Sequence, residues 1–308
     1  MTLTELRYIV AVARHRHFGK AAEACFVSQP TLSVGVRKLE EELGVRLFER
    51  SRSDVLVTPV GEALVAQAEE VLHAAEQLKA MAEAAQDPLG RRLVLGVIFT
   101  IGPYLVPRLI RALKQRAPEL SLIVKEDYTD ALAEQLRRGD IDAAIMSLPF
   151  RDARLISRPL YEEPFQVALP ADHRLAGRAA IAPDDLNGET MLLLGARNCF
   201  RDQVIEACPA CAEPARRDAT DLQQTLESSS LNTICQMVAT GAGVTVLPST
   251  MPMNEDLGAL VTLRPFTEPA PSRTVALFYR RGFARPELIN CVAGAVRDAD
   301  LAQVRYVD

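Results

Sequence analysis

No stretch of the 308-residue chain approaches the roughly 18 consecutive apolar residues that a membrane-spanning helix needs. The opening segment, MTLTELRYIVAVARHRHFGK, breaks every apolar run with Glu5, Arg7, Arg14 or Arg16, so it lacks the apolar centre of a secretory signal. The expectation is a cytoplasmic protein with no membrane contact. Thiols are kept reduced there, which excludes a standing disulfide framework for the six cysteines, and most of them read as small buried hydrophobes. Metal ligands are short too: Cys208-Pro209-Ala210-Cys211 is half of a zinc site, but no second CxxC and no nearby His completes it. No metal and no cofactor are expected. Positive charge is also scarce. The net charge of -5 argues against a binder of polyanions along the whole chain. Residues 1–60 nevertheless hold nine Lys+Arg against seven Asp+Glu, a surplus of two that leaves -7 for the rest. A basic head on an acidic body suits an N-terminal DNA-binding module.

What is present sorts into three segments. In the head, FGKAAEACFVSQPTLSVGVRKLEEELG carries two helical signatures around a break at Phe26-Val27-Ser28. Ser28 is a good N-cap, and Pro30 is tolerated in a first turn because its missing N–H has no helical partner there. Leu32, Val36, Leu39 and Leu43 recur at helical spacing, and Gly44 ends the helix. Its solvent face is polarised: Gln29, Thr31, Ser33 and Arg37 lie toward the start, and Glu40, Glu41 and Glu42 crowd the end. Carboxylates repel phosphates, so only the N-terminal half suits a groove, as in a helix-turn-helix. Arg50 and Arg52 follow in an expected β-wing placed to touch the backbone. The DNA-facing candidates are Ser28, Gln29, Pro30, Thr31, Ser33, Arg37, Arg50 and Arg52. A small helical subdomain with a polar face remains the alternative.

The connector, from Pro59, has no Pro or Gly after Gly61 until Pro88, which predicts one long helix. Leu64, Ala68, Val71, Ala75, Leu78, Ala82 and Ala85 alternate at spacings of four and three, the seam of a two-helix coiled coil, so a homodimer through residues 59–88 is expected. A helix packed on its own domain is the competing reading. Asp87-Pro88-Leu89-Gly90 marks a hinge. Beyond it, LVLGVIF, PYLVPRLIRALKQRA, LSLIVKE, DALAEQLRRG and IDAAIMSL read as βαβαβ, hence a parallel sheet. FQVALP, TMLLLG, VTVLP and RTVALFY are further strand candidates. Ligands of such sheets sit just past the strand ends, which singles out Thr100 and Thr129, although helix capping is the commoner work of such threonines.

Three cysteines fall within residues 198–211, NCFRDQVIEACPAC. If Asn198 caps a helix, the Cys199 thiol sits in its first turn, where the dipole, Arg197 and Arg201 favour negative charge and Asp202 opposes it. A helix running to Cys208 would separate the two Cα atoms by roughly 13 Å, whereas a disulfide needs less than about 7 Å. The pair then bonds only if the segment refolds, which is what a redox switch requires. Closing a loop of about ten residues is worth roughly 2.7 kcal/mol, within the range of allosteric couplings. Three structural cysteines, or thiol exchange at Cys208 and Cys211, are the alternatives.

LRYIVAVARHRHFGKAAEACFVSQPTLSVGVRKLEEELGVRLFER closely resembles the winged helix-turn-helix of LysR-type transcriptional regulators, and NCFRDQVIEAC with TIGPYL resembles the hydrogen peroxide sensors of that family, the OxyR type. The resemblance implies an α/β protein with an N-terminal all-α winged helix-turn-helix at residues 1–58 and a linker helix at 59–88. A two-lobed, periplasmic-binding-protein-like regulatory domain follows at 89–308, with lobe I about 91–162 and 268–308 and lobe II about 163–267. It implies Cys199 as the peroxide-reacting thiol and Cys208 as the resolving one. Thr100 and Thr129 would hold peroxide, with Asn198, Arg201 and Asp202 in support. Relatives commonly carry His before the reactive cysteine; Asn198 hydrogen-bonds but relays no proton near neutral pH. Cys235 stands where related sequences often carry a basic residue. The implied partners are double-stranded operator DNA, hydrogen peroxide, RNA polymerase and further copies of the chain in a homotetramer, and no enzymatic turnover is expected. A regulator answering to a small organic anion between the lobes is the second reading.

Overall fold

The computed structural model describes residues 1–50, 55–86, 92–209, 230–253 and 255–307. It divides into two compact units, Met1–Gln86 and Asp87–Asp308. The expected hinge at 87–90 and Cys211 lie outside the described residues, as do Arg52 and the side chain of Arg50.

The first unit opens with α1 (Leu3–His15), whose start is closed by a capping box between Thr2 and Glu5. Helix α2 (Phe18–Ala24) leads through the break to α3 (Gln29–Leu43). Ser28 caps α3 by accepting the Thr31 N–H at 3.3 Å, and Gly44 ends it in the left-handed region at φ +69°. Leu32, Val36 and Leu39 have no exposed surface and pack with Ile9, Val12, Ala21 and Ala22. A strand pair, β1 (Phe48–Arg50) and β2 (Val55–Val57), forms the wing.

The long helix is α4 (Pro59–Gln86). Its Gly61 is required by packing: a Cβ there would stand 2.3 Å from the Leu47 carbonyl oxygen. The coiled-coil reading needs correction over its first turns. Ala68 is buried in the unit's own core, and half-buried Leu64 and Leu72 pack against it with Val65, so these turns of α4 cover α1. The apolar face of α1 must be covered by something, and the helix nearest in the same chain does it first. Farther along, Val71 and Leu78 are exposed, at 39% and 71%.

In the second unit β3 (Arg92–Ile98), β4 (Ser121–Asp127) and β5 (Ala143–Ser147) are parallel, joined by α5 (Gly102–Arg116) and α6 (Thr129–Arg138). The rest is antiparallel, so the sheet is mixed where the sequence suggested a parallel one. The strand β6 (Leu155–Pro170) runs 16 residues. Its first part, Leu155–Pro164, pairs with β9 (Ser272–Arg280), which itself pairs with β5. Its last part pairs with β7 (Thr245–Pro248) and β8 (Val261–Pro265). One strand thereby serves two hydrophobic cores, the first around Leu95, Ile145 and Leu277, the second around Val167, Val204 and Ile234. Helix α7 (Cys199–Ala207) and α8 (Leu231–Ala239) belong to the second core.

TMLLLG is not a strand. Its backbone forms isolated bridges at Met191, with Val244, and at Leu194, and the Leu192 carbonyl accepts from the Thr245 hydroxyl at 2.7 Å. Among the described residues no helix is long and apolar enough to cross a membrane.

Candidate functional site

The site is built where α7 begins. Asn198 holds the N-cap position, but its side chain makes no cap hydrogen bond; its amide donates instead to the Gly195 carbonyl at 3.3 Å. The Asn198 carbonyl takes the Arg201 N–H at 3.0 Å, so of the first-turn N–H groups of α7 it is those of Cys199 and Phe200 that the N-cap residue leaves untaken. Half-buried Cys199 is the first helical residue, and the Thr129 hydroxyl, at the start of α6, donates to its Sγ at 3.4 Å. Cys199, Thr129, Thr100 and Asn198 line one cavity of about 10 Å³, with Ile98, Phe99, Asp127, Tyr128 and Arg197 completing the wall. That is the room of about one water-sized molecule.

Thr100, 3% exposed, is held by a buried charge network. Arg273 on β9 donates to the Thr100 hydroxyl at 2.8 Å and to its carbonyl at 2.9 Å. The third donor, Nε, goes to Glu163 on β6 at 2.6 Å, and neither charged side chain has any exposed surface. Glu163 also accepts from the Thr250 N–H and hydroxyl. Because a guanidinium only donates, the Thr100 oxygen must accept from it, leaving the hydroxyl's own proton for the cavity. Arg273 also lies 4.9 Å over the ring of Phe200, the residue after Cys199. Sequence reading missed this pair. The signal was there: one arginine opening the otherwise apolar strand RTVALFY.

Gln203 was missed as well. Its amide nitrogen donates to the Ser147 hydroxyl and the Leu148 carbonyl, each at 2.8 Å, so α7 is tied to the end of β5 while its Phe200 and Val204 sit in the second core. Of the residues expected to support the thiol, Arg201 donates to the Leu194 carbonyl at 3.0 Å, and Asp202 is exposed. Arg197 lines the cavity but stacks over Tyr128 at 4.2 Å.

Cys208 stands just past α7, 1% exposed in the second core, its thiol donating to the Pro183 carbonyl at 3.5 Å. Cys199 packs against the first core. Both thiols are free, and the helix between them keeps them apart. Burial pushes the thiols of Cys25 and Cys291 up, and that of Cys235, fully buried beside Met251, up to about 12. Cys235 therefore stays protonated at pH 8, and iodoacetamide should label it only after denaturation, as peptide mass spectrometry can read. The folded chain holds that proton more tightly than the unfolded one, whose ordinary value is 9.0. This contribution to stability is complete below about pH 9 and disappears as the pH rises toward 12. Cys235→Ala should flatten that alkaline limb in urea unfolding.

On the first unit Ser28, Gln29, Pro30, Thr31 and Arg37 are exposed, Ser33 half-exposed, and the Ser28 and Thr31 hydroxyls share a 2.7 Å hydrogen bond. Glu40 accepts the N–H groups of Leu47 and Phe48, so one carboxylate at the end of α3 serves the entry to the wing. Among the described residues no cluster of His, Cys, Asp and Glu is placed to hold a metal.

Residues 3–62 match the model of the bacterial regulatory helix-turn-helix protein, lysR family, and residues 86–300 that of the LysR substrate binding domain. The hydrogen peroxide-inducible genes activator of Dickeya chrysanthemi is 39% identical over 97% of this chain and 95% of its own length. The DNA-binding transcriptional dual regulator OxyR of Escherichia coli K12 is 40% identical over 96% and 95%. A full-length OxyR of Pseudomonas aeruginosa carrying a cysteine-to-aspartate substitution superposes with a TM-score of 0.78 at 47% identity, covering 100% of this chain and 98% of that one. An H2O2-bound mutant of Corynebacterium glutamicum OxyR does so at 0.63 and 35%, covering 97% and 92%. With both halves matched and these identities sustained end to end, the chain belongs to the LysR family of bacterial regulators, in its OxyR branch.

Proposed function

We propose that this chain is a cytoplasmic, DNA-binding transcriptional regulator that senses hydrogen peroxide through Cys199 and Cys208. The observation that carries the reading is the Thr129 hydroxyl donating to Cys199 Sγ in the wall of a cavity the size of one small polar molecule. The Cys199 thiolate attacks one peroxide oxygen, the O–O bond breaks, and hydroxide leaves with a proton to become water, giving the sulfenic acid. The Thr100 hydroxyl and the N–H groups of Cys199 and Phe200 serve as donors to the departing oxygen. The Cys208 thiol then attacks the sulfenic sulfur, the S–S bond forms and water leaves. Since α7 holds the two sulfurs apart, that second step requires α7 to unwind, and the disulfide retains the altered fold. Exposed Val71 and Leu78 support a homodimer through the outer part of α4, and a homotetramer and contact with RNA polymerase complete the proposal.

The second reading, a regulator answering to a small organic anion between the lobes with inert cysteines, makes no use of the Thr129–Cys199 hydrogen bond. Thr129→Val keeps the shape of the wall and removes the donor. It should slow peroxide oxidation of Cys199 by about tenfold or more, the size of one hydrogen bond to a charged atom, with DNA affinity of the reduced chain unchanged. Stopped-flow thiol consumption reads the rate, and an unaltered rate would remove Thr129 from the chemistry.

A further inference from the structure

The recognition helix carries an apolar stripe that the peroxide chemistry does not use. In α3 the buried residues Leu32, Val36 and Leu39 define the inward face. Helical geometry puts Pro30, Val34 and Arg37, spaced by four and three, on the side directly opposite. Val34 is 67% exposed and Pro30 is exposed beside it. The helix cannot roll to hide them, because at Gly35 it lies so close to α1 that a Cβ would stand 2.7 Å from the Tyr8 ring, itself buried. The outermost groups in the half of α3 that suits a groove are thus a proline ring, an isopropyl group and one guanidinium.

An apolar group facing base edges in the major groove has one complementary feature to meet, the C5-methyl of thymine. We infer that Val34, flanked by Pro30, reads a thymine methyl in each operator half-site, while Arg37 provides the charged contact one turn on. The occupant is duplex DNA and not a protein surface, because the stripe is bordered by Gln29, Thr31, Ser33 and Arg37, groups that pair with base edges and phosphates. The inference rests on α3 entering the major groove, a placement carried by the helix-turn-helix match over residues 3–62.

The test uses the full-length reduced chain and a duplex selected by it from random-sequence DNA. Each thymine is replaced in turn by deoxyuridine, which removes only the methyl. At least one replacement per half-site should weaken binding by about fivefold to tenfold, the lower range of single-base discrimination, and Val34→Ser should lose most of that dependence. Val34→Thr, which keeps one methyl, should fall between them. Circular dichroism confirms the helix content of each variant. Deoxyuridine tolerated at every position, or a penalty undiminished in Val34→Ser, overturns the assignment. A change of oligomeric state in Val34→Ser with unaltered discrimination would assign the stripe to a protein contact and overturn it too. Failure to enrich any duplex would instead overturn the groove placement itself.

Discussion

Serine in place of Cys199 should leave the chain bound to its DNA and indifferent to peroxide. The reduced footprint of Cys199→Ser should match that of the wild type, because serine is well suited to the first turn of a helix and the side chain is only half-buried. Adding peroxide should then change the wild-type footprint alone, since a hydroxyl at neutral pH does not attack the O–O bond as a thiolate does. The loss should be complete. Cys208→Ser separates the two steps: Cys199 should still oxidise, but stop at a sulfenic acid that dimedone traps and mass spectrometry detects. A footprint of Cys199→Ser that shifts with peroxide as the wild type's does would place the sensor elsewhere. Cys211 would be the next thiol to examine.

The second large effect concerns Arg273. Arg273→Met leaves the Glu163 carboxylate buried without its guanidinium partner, and removing one member of a buried ion pair typically costs about 3–5 kcal/mol. Urea unfolding should show a loss of that order. The double variant Glu163→Leu with Arg273→Met should recover most of the stability, because the pair is replaced by apolar volume. It should not recover peroxide reactivity, since Thr100 then loses both bonds that fix its hydroxyl and carbonyl. Stability restored without rate would separate the positioning of Thr100 from the holding together of the fold. If rate returns with stability, the network is only structural.

Local chemistry was readable where one residue decides the outcome. Ser28, Pro30 and Gly44 mark the ends of α3, and the spacing of Leu32, Val36 and Leu39 fixes its buried face. Helix α7 begins at Cys199 with Asn198 at the N-cap position, although the Asn198 side chain turns to the Gly195 carbonyl and makes no cap hydrogen bond. Legibility failed where the answer depends on a partner far along the chain. Nothing adjacent to Arg273 announces Glu163, 110 positions away, or Thr100, 173 away. TMLLLG has strand composition but pairs only in isolated bridges, with Thr190 and Leu192 bonded to Val244, and the composition of six residues does not say how far a distant partner will run beside them. The heptad seam of α4 was read as one surface. Its periodicity is real, yet periodicity does not say which of two apolar faces, that of α1 or that of another copy, is met first.

The burial of Cys208 bears on dose. Under the proposed chemistry the sulfenic acid waits for α7 to open, which withdraws Phe200 and Val204 from their core and breaks the two Gln203 hydrogen bonds. During that wait a second peroxide can carry the sulfur on to sulfinic acid, from which a disulfide no longer forms. Opening proceeds at a rate indifferent to peroxide, whereas over-oxidation grows in proportion to it. On that proposal, the packing around a residue 1% exposed would set the oxidant concentration above which signalling gives way to damage. A looser α7 would raise that ceiling.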